Sequence, residues 1–167
     1  MPYLNYDIME KHQFHMHSTK KEHANSLTNL PNQSVFKEQT EHVLEFCERT
    51  HANAVMLYIT FDKLVSHIND QQNGLAQKAI SQRLLSKARE SDIYAHVGDM
   101  EFANLSIETS NEHVPVLVEK LKNELANPIQ LEDSSFIKLN TKIGVAIFPA
   151  QGKDYDELLK FAKNSIT

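Results

Sequence analysis

The sequence predicts an α/β (α+β) domain, with a central, mostly antiparallel sheet flanked by helices. Three observations carry that expectation. The run "AVMLYITF" (54–61) is unbroken, apolar and of strand length, as expected of a strand covered on both faces. "DIYAHV" and "EFANLSIE" bracket a tight "GDM" turn, the outline of a hairpin. Around them, apolar residues recur at helical spacing in several stretches.

Residues 1–24 are polar and His-rich, with poor periodicity, and read as a linker or an N-terminal helical tail. Residues 25–167 read as the domain. A first helix is expected from about Gln33 to Thr50, with Pro31 in its first turn and Asn29 or Asn25 as cap. Val35, Phe36, Val43, Leu44 and Cys47 would face the core. After the 54–61 strand, "DKLVSHINDQQNG" suggests a short helix ending in a polar loop, and "LAQKAISQRLLSKARE" an amphipathic helix. The hairpin follows. Val114, Leu117, Val118, Leu121 and Leu125 then mark another helix. From Ile137, the odd positions Leu139, Thr141, Ile143, Val145 and Ile147 alternate as a strand does, and "DYDELLKFAKNSI" closes as a helix with Asp154 at its start.

A chain of 167 residues suits one globular domain. Its formal charge of −5 argues against broad nucleic-acid binding, which needs a basic face. Cys47 is the single cysteine, so no internal disulfide can form, and it reads as helix-face core rather than a nucleophile. No apolar run approaches the roughly 18 residues of a membrane span, and no signal-peptide pattern opens the chain. The expected location is cytoplasmic, with the option that the domain is the cytoplasmic part of a larger, membrane-anchored protein.

Several motifs then occur in order. "SLTNLPNQSVF" resembles a D-x-L-T-x-L-x-N-R-x-x-F opening, "INDQQNG" an I-N-D-x-x-G-H loop, and "RESDIYAHVGDMEF" an R-x-x-D element followed by a signature hairpin. "IGVAIFPAQGKDYDELLKFA" resembles the closing strand and helix of the same family. Together these resemble a GGDEF domain, the fold of diguanylate cyclases. The resemblance implies a nucleotide-cyclase-like fold with a five-stranded central sheet. In active members, paired domains join two GTP molecules into cyclic di-GMP around divalent metal held by carboxylates, which neutralises the triphosphate and positions the attacking hydroxyl.

Against that template the sequence departs repeatedly. "GDMEF" keeps Gly98, Glu101 and Phe102, but Asp99 stands at the second glycine, where its charge would face phosphate. Met100 replaces the first acidic residue, and a thioether cannot hold magnesium, which demands oxygen ligands. At the strand end, "YITFD" puts Thr60 at the metal-binding aspartate if Asp62 is the second of the family's D-x-D, while a slipped alignment offers Asp62 itself. Asn69 remains for guanine, yet its partner aspartate has no good counterpart, Gly74 being nearest. Glu101 is either a leftover metal ligand or an exposed strand carboxylate. Thr60, Asp62, Asn69, Gly98, Asp99, Met100, Glu101 and Phe102 therefore read as a vestigial active site with no catalytic residue. No cofactor is expected; Mg2+ would be needed only by an active cyclase.

One family element survives. Arg89 and Asp92 stand at R-x-x-D spacing, with Asp92 six residues before Gly98. In many GGDEF domains this turn binds the product, cyclic di-GMP. The chemistry fits, because arginine offers a planar fork to phosphate and guanine while aspartate accepts from guanine N–H groups. Lys120 or Lys122 could add a phosphate contact. The same four residues also form an ordinary solvated cap. Other candidates are weaker: His12, His15 and His17 lie in the N-terminal tract, and His96 reads as a surface or hydrogen-bonded histidine rather than a base. The expectation is an inactive GGDEF-like regulatory or receptor module in cyclic di-GMP signalling. The alternatives are a protein-interaction or GTP-sensing domain, or a cyclase with an unusual metal site. Expected partners are cyclic di-GMP, a protein or neighbouring signalling domain, and a second copy in a homodimer.

Overall fold

The computed structural model describes residues 28–62, 70–108 and 110–166. The apolar run forms the central strand β1 (Asn53–Phe61), buried from Ala54 to Ile59. It is covered on both faces, as its lack of alternation requires. The β2–β3 hairpin (Ile93–Gly98, Glu101–Glu108) joins one edge of β1 through β3, and β6 (Thr141–Phe148) joins the other. The sheet order is β2-β3-β1-β6, every pair antiparallel.

Among the described residues the central sheet has four strands, not the expected five. The remaining extended pieces, β4 (Ile129–Gln130) and β5 (Phe136–Ile137), spend their ladder on each other as a two-stranded ribbon. The alternation from Ile137 is thereby divided. Ile137 lies in β5, Leu139 in the connection, and β6 begins at Thr141. Ile137 and Leu139 are buried nonetheless, so core packing rather than strand pairing sets that pattern.

Helix α1 (Gln33–Thr50) is capped by Asn32, whose side chain accepts from the Val35 N–H at 3.0 Å. Asn29 instead occupies the preceding turn at φ 60°, and Pro31 lies just ahead of the cap. Helix α2 (Asp70–Ser86) starts before the expected Leu75, takes in "DQQNG", and ends short of Glu90. Residues 63–69, including Asn69, lie outside the described residues, as do Asn25 and the tract holding His12, His15 and His17. Helix α3 (Val114–Ala126) follows a short 3-10 turn, and Arg83 of α2 ties its end by donating to the Glu124, Asn127 and Pro128 carbonyls. Helix α4 (Tyr155–Asn164) is capped by Asp154, which accepts from the Glu157 N–H at 2.9 Å.

Two layers result. Ala54, Met56, Tyr58, Ala103 and Leu105 face α1 and α4, together with Phe36, Cys47, Tyr155 and Leu158. Val55, Leu57, Ile59, Phe102 and Ile143 face α2 and α3. Each fully buried large apolar side chain contributes about 1.5–3 kcal/mol of transfer free energy. Burial pushes the Cys47 thiol up to about 11, as suits a core residue. Gly144 is required where α4 crosses β6, because a Cβ there would lie 1.7 Å from the Ala162 carbonyl oxygen.

Candidate functional site

The β2–β3 hairpin carries the chemistry-bearing residues at both its ends. At the turn, Gly98 closes β2, and Asp99 and Met100 form a two-residue loop. A Cβ at Gly98 would meet the Glu101 carboxylate at 3.0–3.3 Å, a close contact with the end of a flexible side chain. Met100 takes φ 52°, the left-handed region that glycine and asparagine favour. The turn thus holds Met100 in a strained backbone conformation.

Each remaining acid at this end has a partner. The Asp99 carboxylate accepts from Asn73 Nδ2 at 3.1 Å and Gln77 Nε2 at 2.6 Å, both on α2. Glu101 accepts a short hydrogen bond from the Tyr58 hydroxyl. Burial, together with that carboxylate, raises the Tyr58 pKa, and Lys163 lies 5.4 Å from the Tyr58 ring centroid. Asp62, beyond β1, accepts from Asn140 Nδ2 at 2.5 Å and pairs with Lys142 at 3.1 Å. Thr60 sits opposite Lys142 in the β1–β6 register. Among the described residues, no three His, Cys, Asp or Glu side chains cluster as metal ligands do.

Phe102 is fully buried; the His96 ring stacks on it at 4.7 Å and 9°, and Phe61 meets it edge-on at 6.3 Å. His96 is buried, not a surface residue, and its Nδ1 lies 3.3 Å from the Thr28 hydroxyl. Burial is the main cause that lowers its pKa. An open cleft of about 620 Å³ runs along this end, lined by Asn32, Ser34, Gln77, His96, Gly98 and Asp99.

At the open end of the hairpin, Arg89 and Asp92 come together as the spacing implied. The Arg89 N–H donates to Asp92 Oδ2 at 2.9 Å and the guanidinium Nη2 to Asp92 Oδ1 at 3.1 Å. The guanidinium is half exposed, while the Asp92 side chain is only 5% exposed. A third member escaped the sequence analysis. Glu108, the last residue of β3, accepts from the same Nη2 at 2.5 Å. That bond is the main reason the Arg89 pKa is raised further. Burial beside Asp92 pushes Tyr94 up to about 12. Lys120 stands exposed on α3, and the second side-chain partner of Arg89 is Glu108. The signal for Glu108 was present in the alternation of β3. Phe102, Asn104, Ser106 and Glu108 share one buried face, and a polar row there demands partners.

Residues 22–167 match the family model described as "Diguanylate cyclase, GGDEF domain", and the chain belongs to that family. The cyclic di-GMP phosphodiesterase NbdA of Pseudomonas aeruginosa is 28% identical over 154 residues, covering 89% of this chain and 19% of NbdA. The diguanylate cyclase TpbB of the same organism is 29% identical over 132 residues, covering 76% of this chain and 30% of TpbB. The chain thus spans less than a third of either relative. The solved GGDEF domain of TpbB superposes with a TM-score of 0.77 at 28% identity, covering 86% of each chain. The fold is that of GGDEF domains.

Proposed function

We propose that this GGDEF domain makes no cyclic di-GMP and serves as a receptor or regulatory module in cyclic di-GMP signalling, reading the dinucleotide through Arg89 and Asp92. The observation that carries the first half is the turn. Where the family uses glycine and an acid, Asp99 and Met100 stand, and the Asp99 carboxylate is docked onto Asn73 and Gln77. A triphosphate brought to that turn would face uncompensated negative charge. Glu101 and Asp62, the nearest metal-ligand candidates, are bonded to Tyr58, Asn140 and Lys142. The second half is supported by the half-exposed guanidinium beside Asp92. Such a fork suits phosphate oxygens or the Hoogsteen edge of guanine, and the adjoining carboxylate suits guanine N1 and N2. A place within a longer cyclic di-GMP signalling protein accords with NbdA, a phosphodiesterase of which the matched region is 19%.

Titration calorimetry with cyclic di-GMP tests the reading. The comparison variant is Arg89→Lys, which keeps a cation for the buried acids but loses the planar fork. Micromolar or tighter binding that weakens at least tenfold in the variant is the expected result. Flat titrations of both the native domain and a Glu108→Gln variant would sink the receptor role and leave a protein-interaction module. Cyclic di-GMP appearing on incubation with GTP and Mg2+ or Mn2+ would sink the inactive reading.

A further inference from the structure

Arg89 has two carboxylate partners on one nitrogen. Nη2 carries two N–H groups, and it donates to Asp92 Oδ1 at 3.1 Å and to Glu108 Oε2 at 2.5 Å. A guanidinium offers two bidentate edges, Nε with Nη2 and Nη1 with Nη2. Both edges include Nη2. A ligand that takes either edge in the two-bond manner of a phosphate or a guanine must therefore displace one of the two acids. Asp92 is the less displaceable, since its other oxygen accepts from the Arg89 backbone N–H at 2.9 Å and so closes the local turn. Glu108 reaches across from β3, and among the described residues Arg89 is the partner that holds its carboxylate.

From this geometry we infer that Glu108 is an intramolecular competitor for the ligand edge of Arg89, a carboxylate occupying the place a phosphate or guanine would take. The inference rests on the receptor reading and adds its regulation. The resting domain holds the site closed on itself, and ligand binding exchanges one anion for another. Binding strength is then set by how firmly Glu108 is retained, and any partner that draws the end of β3 away would sharpen it. The exchange suits an anionic ligand with two parallel acceptors, and it disfavours single-point anions that cannot match the bidentate gain.

Glu108→Gln keeps the shape and removes the charge; Glu108→Ala opens the edge completely. Both leave Asp92 paired with Arg89. Titration calorimetry with cyclic di-GMP is run on the native domain and both variants, with thermal unfolding of each to establish that they are folded. About tenfold tighter binding in Glu108→Gln and a larger gain in Glu108→Ala are expected. Binding that appears only in the variants also supports competition. If the native domain binds and the folded variants bind equally or more weakly, Glu108 is a buttress for Arg89 and the competitor role is overturned while the receptor role stands. If neither the native domain nor the variants bind, both fall together.

Discussion

The two ends of one hairpin solve the same problem differently. At the turn of β2–β3, Asp99 and Glu101 are held by neutral donors: two side-chain amides and a phenol. At the open end, about 20 Å away along the strands, Asp92 and Glu108 are held by a guanidinium. Neutral donors satisfy a carboxylate without cancelling its charge, so the turn still presents negative field to anything approaching. The guanidinium at the other end cancels one of its two carboxylate charges, so that end can take an anion only where an acid gives way. What each end can bind follows from the chemistry of its donors rather than from its number of acids.

The largest test of that contrast is Arg89→Ala. It strands two carboxylates that are 5% and 7% exposed, and the expected loss is about 2–3 kcal/mol in urea unfolding, discounted because the arginine itself is half exposed. The double variant with Glu108→Gln should recover a large part of that loss. Strict additivity would mean the three groups do not act as a unit. Tyr58→Phe is the matching change at the turn. Glu101 loses a neutral donor but can turn toward solvent, so about 1–2 kcal/mol is expected, and a cost as large as that of Arg89→Ala would erase the distinction.

Acid should act next. Burial holds the His96 pKa below its ordinary 6.5, so the unfolded chain binds a proton that the folded chain resists. Stability is therefore complete above about pH 6.5 and falls as the pH drops through that value toward the lowered folded pKa. Melting temperature from pH 7.5 to 5.5 would show this decline, flattened in His96→Asn; an unchanged slope in that variant would place the titration elsewhere. The smallest effect is a gain. Met100→Gly relieves a left-handed residue at φ 52°, and about 0.5–1 kcal/mol of stabilisation is expected if the strain outweighs the packing of the side chain.

Much of the fold was legible because burial writes itself locally. A strand covered on both faces has no polar residue to alternate, and "AVMLYITF" says so without reference to the rest of the chain. The cap at Asp154 was equally local. The misplacements came where two structures share one pattern. Ile137 and Leu139 are buried like strand residues, yet only Ile137 is in a strand, and that strand belongs to the ribbon. Asn25, Asn29 and Asn32 are all plausible caps by composition, and only the chain's path chooses Asn32. Within the candidate site, Arg89 and Asp92 were readable because they are three residues apart. The alternation of β3 marked Glu108 as a buried acid, but its partner and that of Tyr58 were not readable, because they lie 19 and 43 residues away and are brought close only by strand pairing.

The strand order has a consequence for how the molecule is made. Among the described strands β1 is synthesised first, yet it sits in the middle of the sheet, and its two neighbours follow roughly fifty and ninety residues later along the chain. During translation the most apolar segment must therefore wait, one edge unpaired, until Phe148 has left the ribosome. That interval is when unpaired edges capture other chains. A nascent chain stalled before β6 should be sticky and dependent on chaperones, and one stalled after it should be neither.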